Sequence, residues 1–198
     1  MSEWKMVGKP ALVLIHMQHG ITHPEGKVAF LGHAKATRDS GIIARQQLLL
    51  AAFRKKKLPV VFVNAVTPDT KWPAYGRFWE GIKKYRANLP GTKDVEVIEE
   101  LAPLSGEPLL FNWPFGILTG NNLREVLDNL GVETLVLVGV ATDMAVLTAV
   151  FQASDMLYNV IVPSDTCTSA TPKFHEAAIE MIDAVALVTT TKDVIAHL

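Results

Sequence analysis

TLVLVGVATDMAVLTAVFQASDMLYNVIVP, Thr134 to Pro163, is the stretch whose reading decides the fold. Its first run, Thr134 to Gly139, and its last, Asn159 to Pro163, are apolar at consecutive positions rather than alternating, which is what a strand covered on both faces requires. Between them Asp143 to Leu157 has the length of a helix. Strand, helix and strand in that order imply a right-handed crossover between parallel strands of a layered α/β fold.

The same rhythm extends outward. Further aliphatic runs occur at Ala11 to Ile15, Pro59 to Asn64, Pro108 to Phe111 and Ala186 to Thr190, and helix-length segments at Arg38 to Lys57, Gly120 to Leu130 and Pro172 to Ile182. The chain of 198 residues, 49% hydrophobic, is long enough for one domain with a sizeable core. A single three-layer α/β/α domain over residues 1–198, with a mainly parallel sheet of about six strands, is predicted.

Helix ends have local causes. Ser40 is placed to cap the first long helix and Thr119 or Asn121 the second, each offering an acceptor to free first-turn N–H groups. Gly131 suits a left-handed C-terminal position. The basic run Arg54 to Lys57 falls at a helix end, where positive charge complements the macrodipole and is solvated. Ala65 to Lys93 breaks the rhythm: it is rich in Pro, Gly and aromatics, and far longer than an ordinary connection. It follows the carboxyl end of a strand, where open α/β sheets bind ligands, so it reads equally as a pocket wall or as a surface excursion packed on itself or on a partner.

Composition excludes several functions. With 19 basic against 20 acidic residues, there is no field to gather nucleic acid or an anionic membrane. The longest mostly apolar stretch, Thr134 to Phe151, is interrupted by Gly139, Thr142 and Asp143 and is too short to span a bilayer. Ala11 to Ile15 is too short for a secretory core, so the protein is expected to stay where it is made. One cysteine, Cys167, gives neither an internal disulfide nor a zinc cluster and suits a reducing cytoplasm. The first strand is followed by HMQHGITHPEG, without G-x-G-x-x-G, and no phosphate-binding G-x-x-x-x-G-K-[ST] occurs, so no cofactor is expected.

Polar groups gather past the strand ends. His16, His19 and His23 invite a metal reading, but a strand end and a loop with Gly20 and Pro24 do not set the rings on one helical face. Polar loop histidines and no metal are the expectation. His16 alone should face the crevice beyond the sheet. Asn112, Trp113 and Phe115 follow the third strand. Gly139 to Ala145 open a helix whose free N–H groups read equally as an anion site or as a helix start stabilised by Asp143.

At this point a resemblance becomes specific. GVATDMAVLTAVFQASDMLYNVIVPSDTCTSATPKFHEAAIEM, Gly139 to Met181, resembles the C-terminal half of the isochorismatase-like, or cysteine hydrolase, family, through Gly139, Thr142, Val146, Thr148, Ala153, Asp155, Asp165, Ser169 and His175. LVLIHMQHGI, Leu12 to Ile21, resembles the family strand ending in D-M-Q, with Met17 and Gln18 matching. The resemblance implies an Asp base, a Lys cation and a Cys nucleophile, but those positions fall here on His16, Asn112 and Ala145. Alanine forms no thioester, and without a thiol no cation is demanded to hold a thiolate, so the changes are mutually consistent. Isochorismate hydrolases of the family also lack the cysteine, yet keep the Asp and Lys, so their reaction does not carry over. The metal-binding nicotinamidases place an Asp and histidines after the second strand, where this chain has Asp69 and no histidine.

What the resemblance leaves is a pocket and a backbone. His16, Asn112 and Ala145 mark the altered catalytic positions, and Gln18, Trp72, Trp79, Trp113, Phe115, Ala141 and Thr142 are expected to contact a small cyclic or aromatic molecule. The family also implies a cis peptide before Ala141 and a homo-oligomer. Two functions follow. One is a cysteine-free hydrolase or lyase, with His16 as acid/base near neutral pH, Asn112 as its hydrogen-bond partner and backbone N–H groups near Ala145 facing developing negative charge. The other is a pseudoenzyme that binds a ligand or partner through the inherited pocket.

Overall fold

β1 (Pro10–Ile15) is central and buried at every position. It pairs in parallel with β2 (Val60–Ala65) on one side and β4 (Thr134–Val140) on the other. β3 (Leu109–Asn112) lies beyond β2, and β5 (Asn159–Pro163) and β7 (Leu187–Thr189) lie beyond β4, giving the order β3-β2-β1-β4-β5-β7 with every pair parallel. The computed structural model describes residues 4–68, 77–113 and 115–198. All six expected strands are present, and a seventh, β6 (Cys167–Thr168), takes up pairing with β4 at Gly139 and Val140, past the last β5 pair. Two residues are too few to register as an apolar run.

Both faces of the sheet are covered, as consecutive apolar runs demand. Ala11, Val13 and Ile15 pack with Leu123 and Leu127 of α5 (Leu123–Asn129) and with Ala149, Val150 and Ala153 of α6 (Leu147–Asp155). Leu12 and Leu14 pack with Leu49, Leu50 and Phe53 of α3 (Ile42–Lys55) and Val194 of α8 (Thr191–His197). Emptying one such position, as Phe53→Ala would, costs about 3–5 kcal/mol. α7 (Pro172–Asp183) completes the first of these layers through Ile182. No helix among the described residues is long and apolar enough to cross a membrane.

Several boundaries differ from the sequence reading. Gly41, at φ 69°, divides the expected Arg38 to Lys57 helix into α2 (His33–Ser40) and α3. Ser40 is not a cap, because its hydroxyl donates back to Thr37 O at 3.3 Å. Asn121 rather than Thr119 serves α5, its Oδ1 accepting from Leu123 N at 3.0 Å. Gly131 is left-handed as expected, with φ 66°. Within the segment from Ala65 to Lys93, residues Arg77–Tyr85 form a helix, α4. A single-turn helix, α1 (His19–Thr22), also lies where a loop was expected.

Gly139 is required by close approach. Its φ is 128°, and a Cβ there would strike the carbonyl oxygen of Ile15 on the neighbouring strand. β1 and β4 are thereby drawn together at the edge where both chains leave the sheet.

Candidate active site

The strand order reverses between β1 and β4, so the residues leaving these strands meet in a crevice beyond the carboxyl edge of the sheet. His16 leaves β1 with φ 53°, in the left-handed region, while its N–H still donates to Val63 O at 2.8 Å. Such a backbone costs a non-glycine residue about 1–3 kcal/mol and occurs disproportionately at functional sites.

The imidazole is held by Asn112, the last residue of β3. Nε2 of His16 lies 3.0 Å from Asn112 Oδ1, and Asn112 Nδ2 donates to Gly116 O at 3.3 Å. The second bond fixes the amide with its oxygen toward the ring, so Nε2 carries the proton and Nδ1 the lone pair. No hydrogen bond from a described residue reaches Nδ1. Burial pushes the His16 pKa down to about 4, with the Asn112 bond pulling the other way. His16 is therefore neutral at pH 7 and has the proton affinity of a carboxylate without its charge. With the ring neutral at pH 7, His16 meets a substrate as a base, and a proton it gives back must first be one it has taken.

His16, Ala141 and Ala145 line a small cavity of about 60 Å³ together with Phe78 and Trp79 of α4 and with Trp113 and Phe115. The four aromatic rings form one cluster: Trp79 lies 4.8 Å from Trp113 and 5.0 Å from Phe115, and Phe78 lies 5.2 Å from Phe115. Offset and tilted contacts of this kind make a stiff apolar wall. Ile82, one turn after Phe78, completes the inward face of α4. None of the described lining residues carries a formal charge.

Other expected site residues stand elsewhere. Gln18 is fully buried behind the wall, its Nε2 donating to Ala65 O and Asp94 O at 2.9 Å and its Oε1 accepting from Ala65 N at 2.6 Å. Thr142 is also fully buried, with Oγ1 2.9 Å from His175 Nδ1 on α7. Neither is among the described residues that line the cavity: Gln18 braces backbone groups, and Thr142 ties the start of the π turn to α7. Asn112 acts through His16 and is not part of the wall. Trp72 and Asp69 lie outside the described residues.

The helix start after β4 is narrower as an anion site than expected. Thr142–Val146 forms a wide π turn, in which Met144 N and Val146 N both donate to Ala141 O at 3.1 Å. Asp143 N donates to Ser169 Oγ, whose hydroxyl donates in turn to Asp143 Oδ1 at 2.6 Å. Three of the donors are thus committed internally. The Val140–Ala141 peptide is cis, as the resemblance implied. Cys167 is buried in β6, and burial pushes its thiol up to about 12, so no thiolate comes from it.

Sequence reasoning missed His33, the first residue of α2. It lines the same cavity, is buried, and its Nδ1 has no partner; burial holds its pKa below the usual value, opposed by Asp143. No motif marks it, since it arrives from a separate helix. The argument against a shared face for the loop histidines also fails: α1 sets His19 and His23 one turn apart, with ring centroids 4.2 Å apart and planes 18° from parallel.

Comparison with known proteins agrees with this geometry. Residues 10–193 match the model of the isochorismatase domain. An uncharacterized isochorismatase family protein, YwoC of Bacillus subtilis, is 25% identical over 182 residues, 88% of this chain and 85% of its own. Among solved structures, a cysteine hydrolase from Pseudomonas syringae pv. phaseolicola superposes with a TM-score of 0.84 at 22% identity, covering 100% of this chain and 98% of that one. An N-carbamoylsarcosine amidase from Thermoplasma acidophilum superposes with a TM-score of 0.72 at 26% identity, covering 92% and 96%. With residues 10–193, nearly the whole chain, matching that domain model, this chain belongs to the isochorismatase family.

Proposed function

We propose that the chain is a cysteine-free hydrolase of this family, or a related lyase, acting on a small, uncharged cyclic or aromatic molecule. The observation that carries the reading is the His16–Asn112 bond of 3.0 Å, which fixes the tautomer of a ring that lines the cavity and leaves Nδ1 without a hydrogen bond from a described residue. In a hydrolysis His16 Nδ1 accepts a proton from water as its oxygen attacks the carbonyl carbon. Asn112 Oδ1 steadies the imidazolium through Nε2–H, and the same proton then passes to the leaving amine or alcohol. A positioned base of this kind contributes about 10²–10⁴-fold in rate. Where the family has an ion pair of Asp and Lys, this chain has a neutral ring and a neutral amide. The described site stays balanced in charge, and no described lining residue is the cation that a carboxylate-bearing substrate would need on losing its water.

A second reading, ligand binding without turnover, is favoured by a different observation: the described wall offers neither a nucleophile nor a charge, and three helix-start donors are already committed. Turnover of a panel of small neutral amides, esters and vinyl ethers, read by mass spectrometry beside His16→Ala with thermal shifts on the same samples, separates the two. Product formation that vanishes in His16→Ala supports the hydrolase. Stabilisation of both proteins without product leaves the binding protein. The same proposal places the chain in the cytoplasm as a homo-oligomer, to be sized by light scattering.

A further inference from the structure

Outside the cavity, the strongest unexplained feature is on the outer side of α1. His19 is only 9% exposed, yet neither Nδ1 nor Nε2 has a hydrogen-bond partner. Buried polar atoms are nearly always satisfied, so an imidazole with both nitrogens unpaired calls for a ligand. One donor atom each from His19, His23 and Glu25 lies within 4.8 Å of the others. We propose that His19, His23 and Glu25 form a binding site for a borderline divalent metal ion such as Zn²⁺, Co²⁺ or Ni²⁺.

The donor set is two imidazoles and a carboxylate, the combination these ions prefer to the all-oxygen shell of calcium or magnesium. His19 and His23 are four residues apart across a single helical turn, a spacing at which two side chains reach one point. Closing the donors from 4.8 Å to the separation of about 3.4 Å that a tetrahedral shell requires is a side-chain movement. His23 is the ring that must turn, because its Nδ1 accepts a long 3.2 Å bond from Glu25 N. Three protein donors leave a further position for water or an added carboxylate, and Glu96, Glu99 and Glu100 line the same recess. Lys93 lines the same recess and opposes a cation there. The site follows β1, whereas the metal position implied by the nicotinamidases follows β2. Its consequence is a clamp: His19 N already donates to Glu96 O at 2.9 Å, and α1 carries Ile21 into the cavity wall on its other side.

The test uses untagged full-length protein freed of metal with a chelator, then titrated with Co²⁺ and Zn²⁺ by calorimetry and visible absorption. One ion per chain is expected, with affinity lowered at least about tenfold in His19→Ala and in His23→Ala and less in Glu25→Gln. Zn²⁺ should raise the Tm of the wild type only. Because His19 is buried, His23→Ala, checked for folding by circular dichroism, decides the matter if His19→Ala does not fold. Absence of saturable binding in the wild type, or affinity within about twofold of wild type in folded His23→Ala, overturns the proposal. Neither result bears on the catalytic role of His16.

Discussion

Gln18 and His16 stand two residues apart at the end of β1 and meet different demands. Gln18 commits both ends of its amide to the protein, joining the start of α1 to Ala65 at the end of β2 and to Asp94. His16 commits one nitrogen to Asn112, and its ring lines the cavity with the other unbonded to any described residue. A similar division recurs in the crevice. Gln18, Gly139 and Thr142, which fit the pattern read in the sequence, lie off the described wall, whereas His16 and Ala145, read there as departures, lie on it; Asn112, the third departure, stands behind His16.

The largest effect is expected behind the wall. Gln18→Leu keeps most of the volume but removes the side-chain partner of the part-buried Ala65 N–H and C=O and of the buried Asp94 carbonyl. Each buried group left unsatisfied costs about 1–3 kcal/mol, so a loss of about 4 kcal/mol is expected in urea unfolding. A loss below about 1 kcal/mol would place Gln18 with the wall residues and dissolve the distinction.

How much of this was legible follows from the same division. The strands and both cores were readable because an apolar run at consecutive positions has one physical meaning, a strand covered on two faces. Ala145 and Asn112 were readable because they are departures from a spaced pattern. His33 was not, because nothing in Gly32–His33 signals that a separate helix delivers its ring to a cavity built on β1 and β4. Gln18 and Thr142 were assigned to the ligand because a motif gives positions and not directions: only the folded chain tells which side of the wall a side chain takes. α1 escaped for a related reason, since four residues show no periodicity.

His16 provides an intermediate effect through pH. Its folded pKa, about 4, lies below the value near 6.5 expected in the unfolded chain, so between these values the unfolded state binds more protons and stability rises with pH. The contribution is present in full above pH about 6.5 and is lost as pH falls toward about 4, a swing of about 3 kcal/mol. His19, His33 and His175 are also lowered by burial and act in the same direction. The difference between wild type and His16→Asn isolates the one ring. Urea unfolding at pH 7.5, 6, 5 and 4.5 is expected to give a shallower pH dependence in the variant, and parallel curves would mean that His16 is solvated and not a carboxylate-like base.

Ala145→Cys is expected to change stability least and to probe the wall most directly. Ala145 borders the cavity, so the added sulfur has room, and a cost under about 1.5 kcal/mol is expected. The thiol returns to the position the family uses for its nucleophile, but no described charge is there to lower its pKa. His16 is neutral, so it forms no ion pair that would hold a resting thiolate, and Asn112 supplies hydrogen bonds without charge. Alkylation by iodoacetamide should therefore rise with pH as it does for an ordinary or raised thiol, with little reaction at pH 7. Adding Asn112→Lys should bring the reaction to lower pH. Rapid alkylation of the single variant at pH 7 would mean that the crevice already stabilises a thiolate, and the charge-free wall on which the proposed ligand class rests would have to be given up.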